Sequence, residues 1–393
     1  MTQQTVQLSA AATSQATAIS AAAALIGLDW GTSSLRSYVF DAAGQVLATE
    51  SWPWGIMRLP ALNSDQVSAA NQADDPAQAL RQEPFELAFE AACGAWLAAR
   101  PELAVIACGM VGSAQGWVEA PYVEGHADAQ ILARAMTRLT TRRGHTLSIV
   151  PGVLERGTLP NVMRGEETQI VGVSLARQAA SDADAAPVLI GLPGTHAKWA
   201  LSQNGGIGHF DTFMTGEVFA LLRDHSILGR TMIASEPADQ AAFLRGIAVA
   251  RCESESCLLA TIFSVRTMGL TGQLSGSQQA DYLSGLLIGN ELASLETSLS
   301  RHDGLSLAAR RVVLSGEERL CERYLTALNE FGCTTVSVAR DATERGLWHI
   351  AVQAGLVAAA DGKANAAALA GRLDPNLAPN LTPNPAPHQE LTR

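Results

Sequence analysis

The 393-residue sequence lacks the marks of several common protein classes. Its six cysteines are scattered, with no CxxC pair and no nearby histidine cluster, so the sequence predicts neither a disulfide framework nor a zinc site. No apolar run reaches the roughly 18 residues that a membrane-spanning helix needs. The nucleotide-binding motifs GxxxxGK[ST] and GxGxxG after a strand are absent as well.

Positive charge is also scarce. The chain has 27 Lys and Arg against 38 Asp and Glu, a net charge of −11, which argues against nucleic acid or an anionic membrane as the main partner. An anionic substrate would therefore need local cations in its site. The first 24 residues contain no Lys or Arg, so they predict neither a secretory signal nor a transit peptide. We expect a cytoplasmic protein with reduced thiols.

The composition nevertheless predicts a folded protein. Hydrophobic residues make up 47% of the chain and charged residues 17%, which allows a sizeable core and excludes wholesale disorder. Both ends are predicted to be flexible: residues 1–24 are rich in alanine, and residues 371–393 belong to a proline-rich tail. The folded body is then expected to span about residues 25–370.

Two stretches of this body begin in the same way. LIGLDWGTSSLR and VLIGLPGTHAKW each contain an apolar strand, a Gly-Thr turn, a basic residue and a second strand. An Asp…Gly turn after the first stretch predicts three consecutive antiparallel strands, and Asn204-Gly205 predicts the turn of the second hairpin. Strands and helices alternate through most of the remaining sequence.

These elements predict an α/β protein made of two duplicated halves. We place the halves at residues 25–183 and 184–370. A helix is expected near residues 127–140. Helices are expected to dominate residues 216–300, which predicts a helical insert in the second half.

The first Gly-Thr turn has the residues of a phosphate-binding loop. Gly31, Thr32 and Ser33 can bring backbone N–H groups and hydroxyls close to a phosphate, because Gly31 has no Cβ. Asp29, at the end of the preceding strand, can hold Mg²⁺ directly or through water. An ordinary β-turn, in which the Asp and Ser side chains bond to their own backbone, explains the same residues.

The second Gly-Thr turn consists of Gly194 and Thr195, followed by His196 and Lys198. Two such turns on facing hairpins can hold the β- and γ-phosphates of a nucleotide from two sides, with His196 and Lys198 neutralising charge. Each of these residues, taken alone, is equally typical of a solvated hairpin.

Acidic residues at helix starts are the candidates for acid–base chemistry. Glu166 and Glu167 follow Arg164 just before an apolar helix, where a carboxylate can accept a proton from a substrate hydroxyl. Acids also favour a first helical turn for stability alone, so this alternative stays open. Arg164 offers a fork suited to a carboxylate or phosphate. Glu217 is a weaker candidate at another helix start.

Ser315 and Gly316 follow a buried strand and precede a helix. In an open α/β sheet, an adenine or a ribose can lie against the backbone at such a place. A simple strand-to-helix turn explains these residues nearly as well.

Several longer segments, taken in order, resemble the family of 2-dehydro-3-deoxygalactonokinases. They are LIGLDWGTSSLRSYVF, CGMVGSAQGW with APYV, NVMRGEETQIVG, LPGTHAKW, FMTGE and DYLSGLLIGNEL, and the resemblance covers about residues 25–358. This family belongs to the superfamily of sugar kinases, actin and heat-shock chaperone ATPases. The resemblance therefore implies two ribonuclease-H-like (actin-like ATPase) domains with a cleft between them.

The resemblance also implies a reaction: transfer of the γ-phosphoryl group of ATP, with Mg²⁺, to the 6-hydroxyl of 2-dehydro-3-deoxy-D-galactonate in galactonate breakdown. It matches residues 29–36 and 192–199 to the two phosphate motifs and residues 314–316 to the adenosine loop. Related sugar kinases have a catalytic Asp at the start of the helix before the second phosphate motif. Glu166 and Glu167 stand there in this chain, and the sequence leaves open which is the base.

The acceptor so implied is a 2-keto acid, and an acidic chain must bind its carboxylate through local arginines. Arg164 is the first candidate because it lies beside the Glu pair. Arg58 is the second, and Arg36 is less favoured because it points along a strand. Two other functions stay open: a kinase of another sugar or sugar acid, and a non-catalytic nucleotide-binding regulator. The expected partner is the small keto sugar acid, and a homodimer stays open.

Overall fold

The computed structural model describes residues 21–179, 187–234, 237–252 and 258–358. The strands in these ranges are β1 (Ala23–Trp30), β2 (Leu35–Asp41), β3 (Val46–Trp52), β4 (Ala104–Cys108), β5 (Tyr122–Glu124), β6 (Thr137–Thr140), β7 (Thr146–Ile149), β8 (Gly152–Glu155), β9 (Asn161–Met163), β10 (Val188–Leu192), β11 (Ala197–Gln203), β12 (Gly206–Phe213), β13 (Val312–Leu314) and β14 (Val336–Val338). The α-helices are α1 (Ser64–Ala70), α2 (Pro76–Ala99), α3 (Ala129–Arg134), α4 (Glu166–Ala179), α5 (Thr215–His225), α6 (Gln240–Cys252), α7 (Leu258–Thr261), α8 (Ser264–Leu270), α9 (Gln279–Asp303), α10 (Glu318–Glu330) and α11 (Ala342–Gln353).

The larger of two mixed sheets has six strands in the order β3-β2-β1-β4-β7-β6. β1, β4 and β7 run parallel, whereas β2, β3 and β6 each pair antiparallel with a neighbour. The three consecutive antiparallel strands predicted from the sequence are therefore confirmed. One face of β1 packs on α2 through Leu28 and Trp30, which are fully buried with Phe85 and Phe89.

The second mixed sheet has five strands in the order β12-β11-β10-β13-β14. β10, β13 and β14 run parallel, and β11 and β12 continue antiparallel from β10. These are the same order and directions as β3-β2-β1-β4-β7 in the first sheet. The parallel strands β1 with β4, and β10 with β13, therefore end at a comparable edge in each sheet, where the Gly-Thr turns lie.

A third, small sheet has the order β5-β8-β9. The segment after β5 pairs with β12 through Ala127 and Ile207, whose N–H groups and carbonyls bond at 3.3 and 2.8 Å. The small sheet belongs to the first half of the chain and β12 to the second. This backbone pairing therefore joins the two halves directly.

Helices α4 and α11 pack against each other between the two sheets, in the same core as residues of β1, β2, β10 and β12. Two glycines allow the close approach. A Cβ on Gly172 would lie 1.9 Å from the carbonyl oxygen of Ala342, and a Cβ on Gly346 would lie 1.9 Å from that of Thr168. The backbone of α4, which begins with the predicted acidic pair, is thus set by its contact with α11.

Local predictions about turns and helices have mixed outcomes. Asn204 and Gly205 form the predicted hairpin turn, with φ of 52° and 81°, and helices dominate residues 216–300 as expected. The prediction of a helix near residues 127–140 was wrong beyond Arg134, where the helix ends. Thr137–Thr140 alternates in exposure and pairs antiparallel with β7, and this pairing decides its conformation.

The predicted boundary at residues 183 and 184, most of the N-terminal extension and the proline-rich tail lie outside the described residues. β1 begins at Ala23, inside the segment expected to be a flexible extension. Among the helices of the described ranges, none combines the length and hydrophobicity needed to cross a bilayer.

Candidate active site

The first Gly-Thr turn is closed by the N–H of Gly31, which donates to the carbonyl of Ser34 at 2.9 Å. Two N–H groups of the loop after β3 donate to the carbonyls of Gly31 and Thr32 at 3.0 and 3.1 Å. Gly55 allows this contact, since a Cβ there would lie 2.2 Å from the Thr32 carbonyl. The same loop carries the exposed Arg58, so this predicted substrate residue lies beside the turn.

Asp29 lies near the end of β1, opposite Arg36 of β2 and Cys108 of β4. Its Oδ2 is 3.6 Å from Nη1 of Arg36, an ion pair whose arginine side chain is 54% exposed. Burial raises the pKa of Asp29, and the charge of Arg36 lowers it. The ion pair engages Arg36 with Asp29.

The second Gly-Thr turn follows β10 and lies beside the loop that follows β13. The N–H of Ser315 donates to the carbonyl of Gly191 at 2.9 Å, and a Cβ on Gly316 would lie 3.2 Å from the carbonyl oxygen of Pro193. Apart from Gly194 and its two chain neighbours, no described residue has an atom within 4 Å of the position that a Cβ on Gly194 would take. The turn and the predicted adenosine loop thus adjoin, with open space over Gly194.

The start of α5 packs directly on this second turn. A Cβ on Gly216 would lie 2.3 Å from the carbonyl oxygen of Gly194, and the N–H of Glu217 donates to the carbonyl of Thr195 at 3.0 Å. The Glu217 carboxylate is 2.5 Å from Nε2 of His196. Two predicted site residues from different segments therefore form a partly exposed pair.

Lys198 reaches from β11 of the second sheet to β9 of the first half. Its buried ammonium donates to the carbonyl of Val162 and to the hydroxyl of Thr212, both at 2.9 Å. Burial lowers the pKa of Lys198, and the charges of Glu166 and Glu167 raise it. The lysine predicted at the phosphates therefore also joins the two halves next to the acidic pair.

The acidic pair begins α4, and the two carboxylates have different surroundings. Oε2 of Glu166 accepts the N–H of Arg164 at 3.0 Å, and the side chain remains partly exposed. Glu167 is fully buried, and its oxygens accept the N–H of Gly165 at 2.6 Å and the hydroxyl of Thr168 at 3.0 Å. Only Glu166 therefore retains access from outside the core.

Charge links this pair to both Gly-Thr hairpins. Burial raises the pKa of Glu166, while Lys198 and, more weakly, His196 lower it. Burial and the neighbouring Glu166 raise the pKa of Glu167 to about 7. The first hairpin is close as well. Burial raises the pKa of Cys108, and the charges of Asp29, from that hairpin, and of Glu167 raise it further, so both acids lie near the same thiol. The segments predicted to form one site thus act on each other electrostatically.

Arg164 is 8% exposed, although it carries a permanent charge. Its Nη2 donates to the carbonyl of Ala120 at 2.8 Å, and its guanidinium lies 4.3 Å from the ring centre of Tyr122. Nε and Nη1 are buried and have no hydrogen-bond partner among the described residues. Because a buried charged donor without a partner is costly, this fork is suited to an anionic ligand.

Comparisons with known proteins identify the family of this chain. A family model described as 2-keto-3-deoxy-galactonokinase matches residues 29–350, which include every predicted site residue. The chain belongs to this family.

Two curated relatives extend over most of the chain. One is a 2-dehydro-3-deoxygalactonokinase from Escherichia coli, 30% identical over 83% of this chain and 97% of its own length. The other, from Rhizobium meliloti, is named as a probable 2-dehydro-3-deoxygalactonokinase and is 34% identical over 85% of this chain and 95% of its own. A crystal structure from Sinorhizobium meliloti, described as a putative 2-dehydro-3-deoxygalactonokinase, has a TM-score of 0.67 and 31% identity, over 84% of this chain and 98% of that chain.

This member of the 2-keto-3-deoxy-galactonokinase family has one further acid in the site that the sequence did not single out. Glu344 lies in the first turn of α11. Burial raises its pKa, and so do the charges of Asp341 and Asp29, while Arg36 lowers it. Its signal in the sequence, an acid at a helix start, is the same as that of Glu166. Its proximity to Asp29 depends on the packing of α11 and could not be predicted.

Proposed function

We propose that this protein transfers the γ-phosphoryl group of ATP to the 6-hydroxyl of 2-dehydro-3-deoxy-D-galactonate, a step of galactonate catabolism in the cytoplasm. Its family membership supports both the reaction and the acceptor. The observation that carries the proposal is that the Lys198 ammonium bonds to the carbonyl of Val162, in the short segment that leads into Glu166. An acid that can accept a proton thereby lies next to a cation of the second Gly-Thr hairpin, where a phosphoryl group would be transferred.

The proposed architecture is that of an actin-like ATPase. The five-stranded sheet and five strands of the six-stranded sheet share one order and one set of directions, which supports two ribonuclease-H-like halves at residues 25–183 and 184–370. Helices α5 to α9 separate β12 from β13, whereas α1 and α2 separate the corresponding strands of the first half. The larger set of helices corresponds to the proposed insert, and the cleft would lie between the two Gly-Thr turns.

ATP fits the residues that line the two turns. The exposed Thr32 and Ser33 on one side, and the open space over Gly194 on the other, leave room and donors for phosphates. The ligands proposed for the phosphates and the adenosine are Gly31, Thr32, Ser33, Gly194, Thr195, His196, Lys198, Ser315 and Gly316. Of the three N–H groups of the Lys198 ammonium, two bond to protein oxygens, which leaves one for a phosphate.

Asp29 is the proposed residue for Mg²⁺. The described residues contain no group of three or more His, Cys, Asp or Glu that could hold a metal by themselves. Mg²⁺ is commonly held by one or two carboxylates together with substrate phosphates and water, so a single acid beside the phosphate turn fits. When bound, the ion would neutralise charge on the transferred phosphoryl group. Asp29 itself would hold the ion and orient the turn.

Glu166 is the proposed general base. Its carboxylate would accept the proton of the acceptor hydroxyl as that oxygen attacks phosphorus. Glu166 is partly exposed, and the cations Lys198 and His196 keep its pKa from rising further. Glu167 is enclosed, with both oxygens bonded to its own helix start, and its proposed role is to hold that backbone in place.

Arg164 is the proposed ligand of the acceptor carboxylate. Two of its three nitrogens have no partner among the described residues, and its third is fixed by a carbonyl. An acceptor held there would lie beside the start of α4, next to the base. Arg58, exposed beside the first turn, is the second candidate.

A panel of acceptors in a coupled assay of ADP release tests this function. We expect the highest kcat/KM with 2-dehydro-3-deoxy-D-galactonate, and product carrying phosphate at the 6-position. The panel should also contain its epimer 2-dehydro-3-deoxy-D-gluconate, D-galactonate itself and neutral hexoses. A higher kcat/KM with any of these would favour the alternative, a kinase of another sugar or sugar acid. ADP binding without turnover of any acceptor would favour a regulator.

A further inference from the structure

We propose that the buried carboxylate of Glu291 is a positioning residue that holds three nucleotide-binding segments of the second half in register. It acts through hydrogen bonds with Trp199 and Tyr324 and through its proximity to Thr215. The inference rests on the proposed kinase function, because it concerns how the ATP side of that site is built.

Glu291 lies in the middle of α9 and is 3% exposed. Nε1 of Trp199 donates to its Oε1 at 2.7 Å, and the hydroxyl of Tyr324 donates to its Oε2 at 2.7 Å. Burial raises the pKa of Glu291, and the neighbouring side chains of Thr215, Trp199 and Tyr324 lower it. An acid is costly to bury, so a site that gives each oxygen of one a hydrogen-bond donor, with a further hydroxyl nearby, specifies that side chain strongly.

Each partner belongs to a different segment of the proposed ATP site. Trp199 follows Lys198 directly in β11, and Thr215 is the first residue of α5, two residues before Glu217. Tyr324 lies in α10, the helix that begins just after the Ser315-Gly316 loop. Glu291 itself contributes no atom to the turns. From its buried position in α9, it contacts one residue of each of the three segments.

The ring of Trp199 packs against the ends of the strands β10 and β13. It packs on Gly191, where a Cβ would lie 2.6 Å from the ring and 2.8 Å from the side chain of Leu314. The carbonyl of Gly191 accepts the N–H of Ser315. The rotamer of Trp199, fixed by its bond to Glu291, therefore supports both β10 and β13 where the two loops emerge.

The expected consequence is selective. The three segments belong to the proposed ATP site, whereas the proposed acceptor ligand Arg164 lies in the first half of the chain. Loss of the carboxylate should therefore weaken nucleotide binding and leave the KM for the acceptor unchanged. A side chain that served only the stability of the core would affect neither constant in the enzyme that remains folded.

The test compares Glu291→Gln with Leu295→Ala. Leu295 lies four residues along the same helix, is fully buried in the same core and makes no polar contact, so it is the matched control. For each variant the melting temperature, the Kd for ADP by calorimetry, and the KM for ATP and for the acceptor are measured. Tyr324→Phe, which removes one donor, gives a graded second variant.

We expect Glu291→Gln to raise the Kd for ADP and the KM for ATP roughly tenfold, since an amide offers one acceptor oxygen where the carboxylate offers one to each of Trp199 and Tyr324. Tyr324→Phe should give a smaller rise, and Leu295→Ala should lower only the melting temperature. If Glu291→Gln and Tyr324→Phe both bind ADP like the wild type, the positioning role is excluded. Calorimetry needs no turnover, so absence of kinase activity in the wild type would contradict the proposed function and not this inference.

Discussion

Arg164 is a buried residue with hydrogen-bond donors that the described residues do not use. Its guanidinium is buried, bonded once to a backbone carbonyl and stacked on Tyr122, and two of its nitrogens have no partner in the described part of the chain. The sequence could predict that an arginine near the acidic pair binds a carboxylate. Its burial and its unused donors could not be predicted, because they depend on Ala120 and Tyr122 more than forty residues away.

Arg164→Lys should raise the KM for the keto acid by roughly ten- to a hundredfold and leave the KM for ATP nearly unchanged. A lysine ammonium cannot make the planar, two-point contact of the guanidinium with a carboxylate. Steady-state kinetics with each substrate varied in turn measure both constants. Arg134→Lys, an exposed arginine at the end of α3, is the control. An unchanged KM for the keto acid, or an equal effect on ATP, removes Arg164 from the acceptor site.

Among the elements, α4 matters most because it carries the acidic pair and crosses α11. Both Gly-Thr hairpins and the helix after MRGEE could be predicted from local signals: turn residues, strand alternation and an apolar helix. The crossing of α4 and α11 could not, because Gly172 and Gly346 are far apart in sequence and neither has a local turn signal. For the same reason the sequence missed Glu344, which α11 brings close to Asp29.

Gly346→Ala should lower the free energy of unfolding by about 1–3 kcal/mol, because its Cβ would meet the carbonyl oxygen of Thr168 at 1.9 Å. The clash would also shift the first turn of α4, so kcat should fall in the folded variant. Denaturant unfolding and steady-state kinetics measure the two effects. Gly157→Ala is the control, since its Cβ would contact only a carbonyl at 3.7 Å. Wild-type stability in Gly346→Ala would show that the helices do not need this approach.

For the molecule as a whole, the two halves are joined by several polar contacts away from the Gly-Thr turns. One of them is made by His209 of β12. Its Nδ1 lies 2.6 Å from Oε1 of Glu155 in β8, and its Nε2 lies 3.4 Å from Oδ2 of Asp211 in its own strand. His302 of α9 stacks on its ring at 4.4 Å. The neighbouring carboxylate of Asp211, and then that of Glu155, raise the pKa of His209 to about 9 against its burial.

This pKa gives the junction a defined pH dependence. A histidine with a pKa raised from about 6.5 stabilises the folded state fully below that value, and the contribution is lost as the pH rises through about 9. His209→Asn should therefore lower stability by up to about 3 kcal/mol near pH 6 and by little above pH 9.5. Melting temperatures between these values measure the difference, with the exposed His225→Asn as control. A difference that does not change with pH would exclude a charged His209.

The most direct test of the central claim, that Glu166 accepts the proton of the acceptor hydroxyl, compares kcat of Glu166→Gln and Glu167→Gln at saturating ATP and keto acid. We expect Glu166→Gln to lower kcat by roughly 10²–10⁴-fold, the usual contribution of a general base. Glu167→Gln should lower kcat by less than about tenfold, because that side chain mainly bonds to its own helix start. Near-normal kcat in a folded Glu166→Gln variant, or a larger loss in Glu167→Gln, would contradict the assignment.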